Sequence, residues 1–195
     1  MTARVLPPVP SPYAAKAIIT LDPAGVGDVG IAVRLTAHLP KKPVRGKLAA
    51  PDWTYQGSVW NDVMYDDLTV FLAKGVGRTG HVFLAHEHSS FGSFSVATSI
   101  GTGIGAIRGL LVGCGWMSCD TRPKGVTPNA YRLWAWPSAA TRPKGRAEYK
   151  IAAIEMCQML YGWGDELQSD LAEATILNDY VVVMRPELWK EPAHE

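Results

Sequence analysis

Ala17-Ile18-Ile19-Thr20-Leu21-Asp22-Pro23-Ala24-Gly25 organises the reading of this chain. Ala17 to Leu21 is an apolar, β-branched run of strand length, bounded by the turn signal Asp22-Pro23-Ala24-Gly25. Gly30-Ile31-Ala32-Val33-Arg34-Leu35-Thr36 follows at hairpin distance and predicts a pairing partner for the first strand. A third strand is expected around Val44–Leu48. Trp60 to Lys74 has helical periodicity, with Val63, Leu68, Phe71 and Leu72 as its inward positions. His81 to His88 is apolar along most of its length, as a central parallel strand would be. Ser95 to Val112 predicts a helix despite Gly101, Gly103, Gly105 and Gly109, which would let another element approach its backbone closely. A loop around Cys114–Gly125 leads to a strand over Ala130–Trp136. Arg146–Tyr161 reads as a helix with Ile151, Ile154 and Leu160 inward, and Ser169–Met184 as the closing helix. A hairpin followed by alternating helices and strands, then by helices, is an α/β domain with a mixed sheet covered by helices.

The chain has 195 residues, 47% of them hydrophobic and 19% charged, as in a globular protein with room for a full core. Formal net charge is +1, so total charge does not point to nucleic acid. Its distribution says more: Arg122 to Lys150 is basic, and the chain after it is mostly acidic. Cys114, Cys119 and Cys157 are odd in number and form no Cys-x-x-Cys pair, which fits buried thiols in a reducing cytoplasm better than disulfides or zinc. The Pro-rich start, Leu6-Pro7-Pro8-Val9-Pro10-Ser11-Pro12, breaks any signal-peptide core, and no apolar run reaches the roughly 18 residues of a membrane span. The expected organisation is a flexible segment 1–13, one domain over 14–185 and a tail over 186–195. Thr-Arg-Pro-Lys-Gly occurs at 121–125 and again at 141–145, which makes two basic loops and no structural repeat.

Chemistry concentrates at four acids. Asp22 and Glu87 close two predicted strands, and ligand sites in open α/β sheets lie outside the carboxyl ends of strands. Asp22 before Pro-Ala-Gly is equally an ordinary turn residue. Asp170 and Glu173 lie three apart on one helical face. They also match a capping box, which needs no metal. An oxygen-only set of four acids suits Mg²⁺ or Mn²⁺. Two such ions would activate water and stabilise the leaving oxygen of a phosphodiester. His86 and His88 share a strand face and offer zinc a pair of ligands, but no second pair accompanies them. Arg142, Lys144, Arg146 and Lys150 are placed to contact phosphates or to be solvated loop charges. Phe91 and Phe94 follow Glu87 in a Ser/Gly-rich loop, where an aromatic either stacks on a base or packs inward.

Taken together, these segments resemble the RuvC-type Holliday-junction resolvases of the ribonuclease-H-like superfamily. Ile18 to Gly25 is similar to the family's opening strand and first acid, and Gly30-Ile31-Ala32-Val33 to its second strand. Phe83-Leu84-Ala85-His86-Glu87 resembles the strand with the second acid, and Gly101 to Leu111 the Gly/Ala-rich helix after it. Lys144 to Lys150 resembles the lysine segment opening the next helix, and Asp170-Leu171-Ala172-Glu173-Ala174 the closing acid pair. The resemblance spans about residues 16–184. It implies a ribonuclease-H-like mixed sheet flanked by helices, with Asp22, Glu87, Asp170 and Glu173 as catalytic and metal-binding acids. It further implies Mg²⁺ (with Mn²⁺ as substitute), a homodimer, no membrane, and paired nicking of branched DNA at a four-way junction in the cytoplasm, or the host cytoplasm for a viral protein. DNA contacts would fall to Phe91, Arg142, Lys144, Arg146 and Lys150. The alternatives are a flap, branched-DNA or RNA–DNA-hybrid nuclease of the same fold, or a non-catalytic nucleic-acid-binding protein. The chain departs from the family by one residue inserted in the Asp-Pro-Ala-Gly turn, by the spacing of Phe91, and by longer segments at 38–58 and 114–128.

Overall fold

A computed structural model describes residues 14–24, 28–78, 80–87, 94–116 and 124–189, with the side chains of 24, 94–100, 124 and 125 outside that description. Phe91, His88 and Cys119 therefore lie outside the described residues, as do the side chain of Phe94 and the segments 1–13 and 190–195.

Five strands form one sheet in the order β3-β2-β1-β4-β5. These are β1 (Ala17–Ala24), β2 (Asp28–Leu35), β3 (Trp53–Ser58), β4 (Val82–Glu87) and β5 (Lys124–Val126). The first three run as an antiparallel meander, and β4 and β5 join in parallel. β1 and β4 are apolar for most of their length, up to Asp22, His86 and Glu87 at their ends, because they pair on both edges and are covered on both faces. Side chains alternate accordingly. Ile19, Leu21, Ile31 and Val33 enter one core with α1 (Asp62–Gly75) and α2 (Phe94–Gly113). Ile18, Phe83 and Ala85 enter a second core with α3 (Pro128–Ala135), α4 (Arg146–Tyr161) and α5 (Ser169–Met184).

α5 lies between the sheet and the outer helices, so almost every residue from Leu171 to Val182 is buried. That explains why its apolar residues surround the helix and form no single amphipathic stripe. Two polar side chains tie it to the sheet. Thr20 Oγ1 donates to the Ala174 carbonyl at 2.8 Å. Asn178 Nδ2 reaches the Ile18 and Ala32 carbonyls, both at 3.1 Å. A second buried link is ionic. Arg34 of β2 meets Asp179 at 2.5 Å, and Tyr161 donates to the other oxygen of the same carboxylate.

The structure corrects five expectations. Ala130–Trp136 is not a strand but part of helix α3, which Pro128 opens at its first turn after an extended Thr127. Strand alternation would have buried Leu133 together with Tyr131 and Ala135; helical spacing buries Tyr131 and Ala135 and leaves Leu133 exposed. Val44–Leu48 is not a strand. Gly46 has φ 70°, which breaks an extended chain, and the third strand lies at Trp53–Ser58. β1 continues through Asp22, Pro23 and Ala24, so the hairpin turn begins beyond them. Of the predicted inward positions, Leu68 and Leu72 are buried, but Val63 and Ile151 are exposed and Met64, Ala153 and Cys157 take the core. Among the α2 glycines only Gly103 meets a neighbour, with a Cβ built there 3.4 Å from Val59, and Gly101, Gly105 and Gly109 face open space. No helix among the described residues is long and apolar enough to cross a membrane.

Candidate active site

Register places the acids. The parallel pairing of β1 and β4 runs from Ala17↔Val82 to Leu21↔His86, so the next step puts Asp22 beside Glu87 at the strand ends. By alternation both share the α5 face with Thr20 and Ala85. Across the hairpin Asp22 pairs with Gly30, and Gly30 is where the first turn of α5 touches the sheet. A Cβ built on Gly30 would lie 2.1 Å from the Asp170 carbonyl oxygen and 2.5 Å from the Leu171 nitrogen. Only glycine allows the first turn of α5 to approach the sheet this closely. Gln56 of β3 fastens the approach, accepting from the Gln168 backbone at 3.1 Å and donating to the Glu166 carbonyl at 3.4 Å.

The result is convergence of Asp22, Asp170 and Glu173, each offering a carboxylate oxygen within 4.8 Å of the others. Asp22 and Glu173 are buried. Asp170 is the second residue of α5. The helix is capped by Gln168 with no side-chain bond, so the capping-box geometry is not formed. Asp170 instead pairs with Lys150 Nζ at 3.0 Å, and Ser169 Oγ meets the same ammonium at 3.1 Å. Glu87 stands beside this trio. Its Oε2 accepts from the Tyr131 hydroxyl at 2.5 Å and lies 3.7 Å from Arg132 Nη2. Arg132 gives its shorter bond, 2.6 Å, to Glu173 Oε1.

Charge at the site is unbalanced. Four carboxylates face two cations, Arg132 and Lys150, which leaves two negative charges uncompensated when all the acids ionise. Burial, reinforced by Glu173, Glu87 and Asp170, pushes the Asp22 carboxyl well above its usual range, against the pull of Lys150. Glu173 is also raised by burial, which outweighs its bond to Arg132. Burial and the same acids hold the Tyr131 hydroxyl firmly protonated. A buried acid with no ion pair of its own among the described residues, Asp22, beside two further carboxylates, is a donor set suited to a hard divalent cation. No histidine joins the described cluster, and the His86 ring contacts the Glu87 carbonyl at 3.0 Å.

Of the predicted DNA-contact residues, Phe91 lies outside the described residues and Lys150 pairs with Asp170. Arg142 braces its own loop through the Trp136 and Pro137 carbonyls, both at 2.9 Å. Lys144 is exposed just before α4, and Arg146 is exposed at its first residue, one turn before Lys150. Tyr131 and Arg132 were not expected at the site, because reading 130–136 as a strand hid them. The signal was Thr127-Pro128, a helix start.

Superposition on solved structures shows what this arrangement resembles. Thermus thermophilus RuvC in complex with a Holliday junction substrate matches at a TM-score of 0.55 and 15% identity, covering 90% of this chain and 98% of that one. A second T. thermophilus RuvC structure matches at 0.54 and 15%, covering 87% and 95%. The chain has a RuvC-type fold. No protein-family profile and no curated protein sequence matches it. The RuvC-type fold is therefore visible in the backbone at 15% identity.

Proposed function

We propose that this protein is a Mg²⁺-dependent, structure-selective DNA endonuclease that nicks four-way junctions as a homodimer. The convergence of Asp22, Asp170 and Glu173 on a RuvC-type fold carries this reading. In it Asp22, Glu87, Asp170 and Glu173 hold divalent ions, which when bound supply a water-derived nucleophile and stabilise the leaving oxygen. The chain's own residues do the rest. Lys150 and Arg132 hold Asp170 and Glu173 in place against their mutual repulsion. Burial keeps bulk water from screening the acids. Lys144, Arg146 and Lys150, with Arg142 shaping their loop, present positive charge to the phosphates of a strand entering beside the acids. Phe91 is the proposed base-stacking residue. A cytoplasmic site of action agrees with the unpaired thiols of Cys114 and Cys157.

The test is nicking of a synthetic four-way junction with Mg²⁺ by the wild type, Asp22→Asn and Asp170→Asn. Symmetric nicks by the wild type alone are expected, and undiminished cleavage by both variants sinks the assigned site. A panel of flap, hybrid and linear substrates separates the junction reading from other nucleases of this fold. Tight junction binding with no hydrolysis at millimolar Mg²⁺ would make the protein a non-catalytic binder.

A further inference from the structure

We propose that Tyr131 is a positioning residue for metal binding, its hydroxyl fixing one oxygen of Glu87 and leaving the other available to a divalent cation. The inference rests on reading the acid cluster as a metal site. Tyr131 is fully buried on α3, and its ring is fixed by the second core. A phenol has one proton to donate. Glu87 Oε2 at 2.5 Å takes it, and Glu173 Oε1, at 3.4 Å, is served by Arg132 instead. The two neighbours on α3 thus divide the acids between them. Arg132 compensates the charge of Glu173. Tyr131 orients Glu87 with a neutral donor, and the longer 3.7 Å contact to Arg132 offsets the Glu87 charge less than the 2.6 Å bond offsets that of Glu173. Both named contacts of Glu87 fall on Oε2, so Oε1 is engaged by neither. Glu87 also stays outside the group whose oxygens lie within 4.8 Å of one another. A carboxylate held from one side is suited to bind a separate ion on the other. Partners that orient a metal ligand typically contribute about 10–100-fold in metal affinity.

The experiment is Mn²⁺ titration calorimetry on the full chain, comparing wild type, Tyr131→Phe, Glu87→Gln and the double variant. Tyr131→Phe, which keeps the ring, is expected to weaken Mn²⁺ binding about 10–100-fold. It should cause no further loss in the Glu87→Gln background. Wild-type affinity in Tyr131→Phe, or an equal loss with and without Glu87, overturns the proposal. If Tyr131→Phe does not fold, ζ-carbon-labelled tyrosine decides instead. The Tyr131 resonance should move on Mg²⁺ addition to the wild type and stay still in Glu87→Gln, and a signal unmoved in the wild type overturns the proposal. A wild type that binds no Mn²⁺ removes the nuclease reading and this inference together. One that binds Mn²⁺ but cuts no junction removes only the substrate assignment, and the Tyr131 comparison still decides.

Discussion

Gly30→Ala tests the geometry most directly, because one methyl group must displace the backbone that carries Asp170. The added Cβ would meet the Asp170 carbonyl oxygen at 2.1 Å and its carbon at 2.2 Å. Tolerated contacts begin at 3.0–3.4 Å, so the start of α5 must withdraw by about 1 Å. Neither side yields easily. β2 is held between β1 and β3, and α5 is anchored by Thr20 and Asn178. Overpacking of this kind costs about 1–3 kcal/mol. For a chain of this length that lowers the melting temperature by about 2–12 °C. The functional loss should be larger, because a misplacement of about 1 Å at a reacting centre costs on the order of 100-fold. Thermal unfolding with and without Mn²⁺, together with junction nicking below the transition, measures both terms. Gly105→Ala is the internal control. It faces open space in α2, and it should stabilise the protein by about 0.5–1 kcal/mol. Gly30→Ala with an unchanged melting temperature and wild-type Mn²⁺ stabilisation would refute the close approach and the site built on it.

Three further outcomes are expected. Asp22→Asn should raise the melting temperature of the metal-free protein while abolishing stabilisation by Mg²⁺, since it removes a buried charge that Glu173, Glu87 and Asp170 repel; a fall in metal-free stability contradicts this. The pH dependence has a definite sign. Asp22 and Glu173 titrate above their ordinary values of 3.8 and 4.5, so their contribution to metal-free stability is complete below those values and is lost as pH rises through the raised native values. Metal binds the ionised acids, so the Mg²⁺-induced rise in melting temperature should grow from pH 5.5 to pH 8, and a rise that shrinks over that range is the contrary result. Asp179→Ala strands the buried Arg34 guanidinium and should cost about 3–5 kcal/mol, read by urea unfolding, yet leave Mn²⁺ affinity intact because the pair sits away from the acids.

Local pattern was enough for α4 and α5, whose predicted bounds are those observed, because strong helical runs end at Gly162 and begin after a polar segment. It was enough for β1, β2 and β4, whose apolar runs are too short for helices. It failed at α3. Ala-Tyr-Arg-Leu-Trp-Ala-Trp reads as a strand by itself, which masked the helix start at Thr127-Pro128, and packing buries Tyr131 and Ala135.

The residues themselves supply the acids. Strand-end carboxylates at Asp22 and Glu87 and the Asp170/Glu173 pair are legible as letters at the right spacing. Whether they meet is decided by contacts between residues far apart in the chain, from 65 positions for β1 and β4 to 160 for Ile18 and Asn178, which no local pattern encodes. Gly30 lets α5 touch the sheet, Thr20 and Asn178 fix its height, and the β1–β4 register brings Glu87 alongside. The tertiary structure also recruits Tyr131, Arg132 and Lys150, because two buried and two half-buried acids must find donors and counter-charge wherever the fold can bring them.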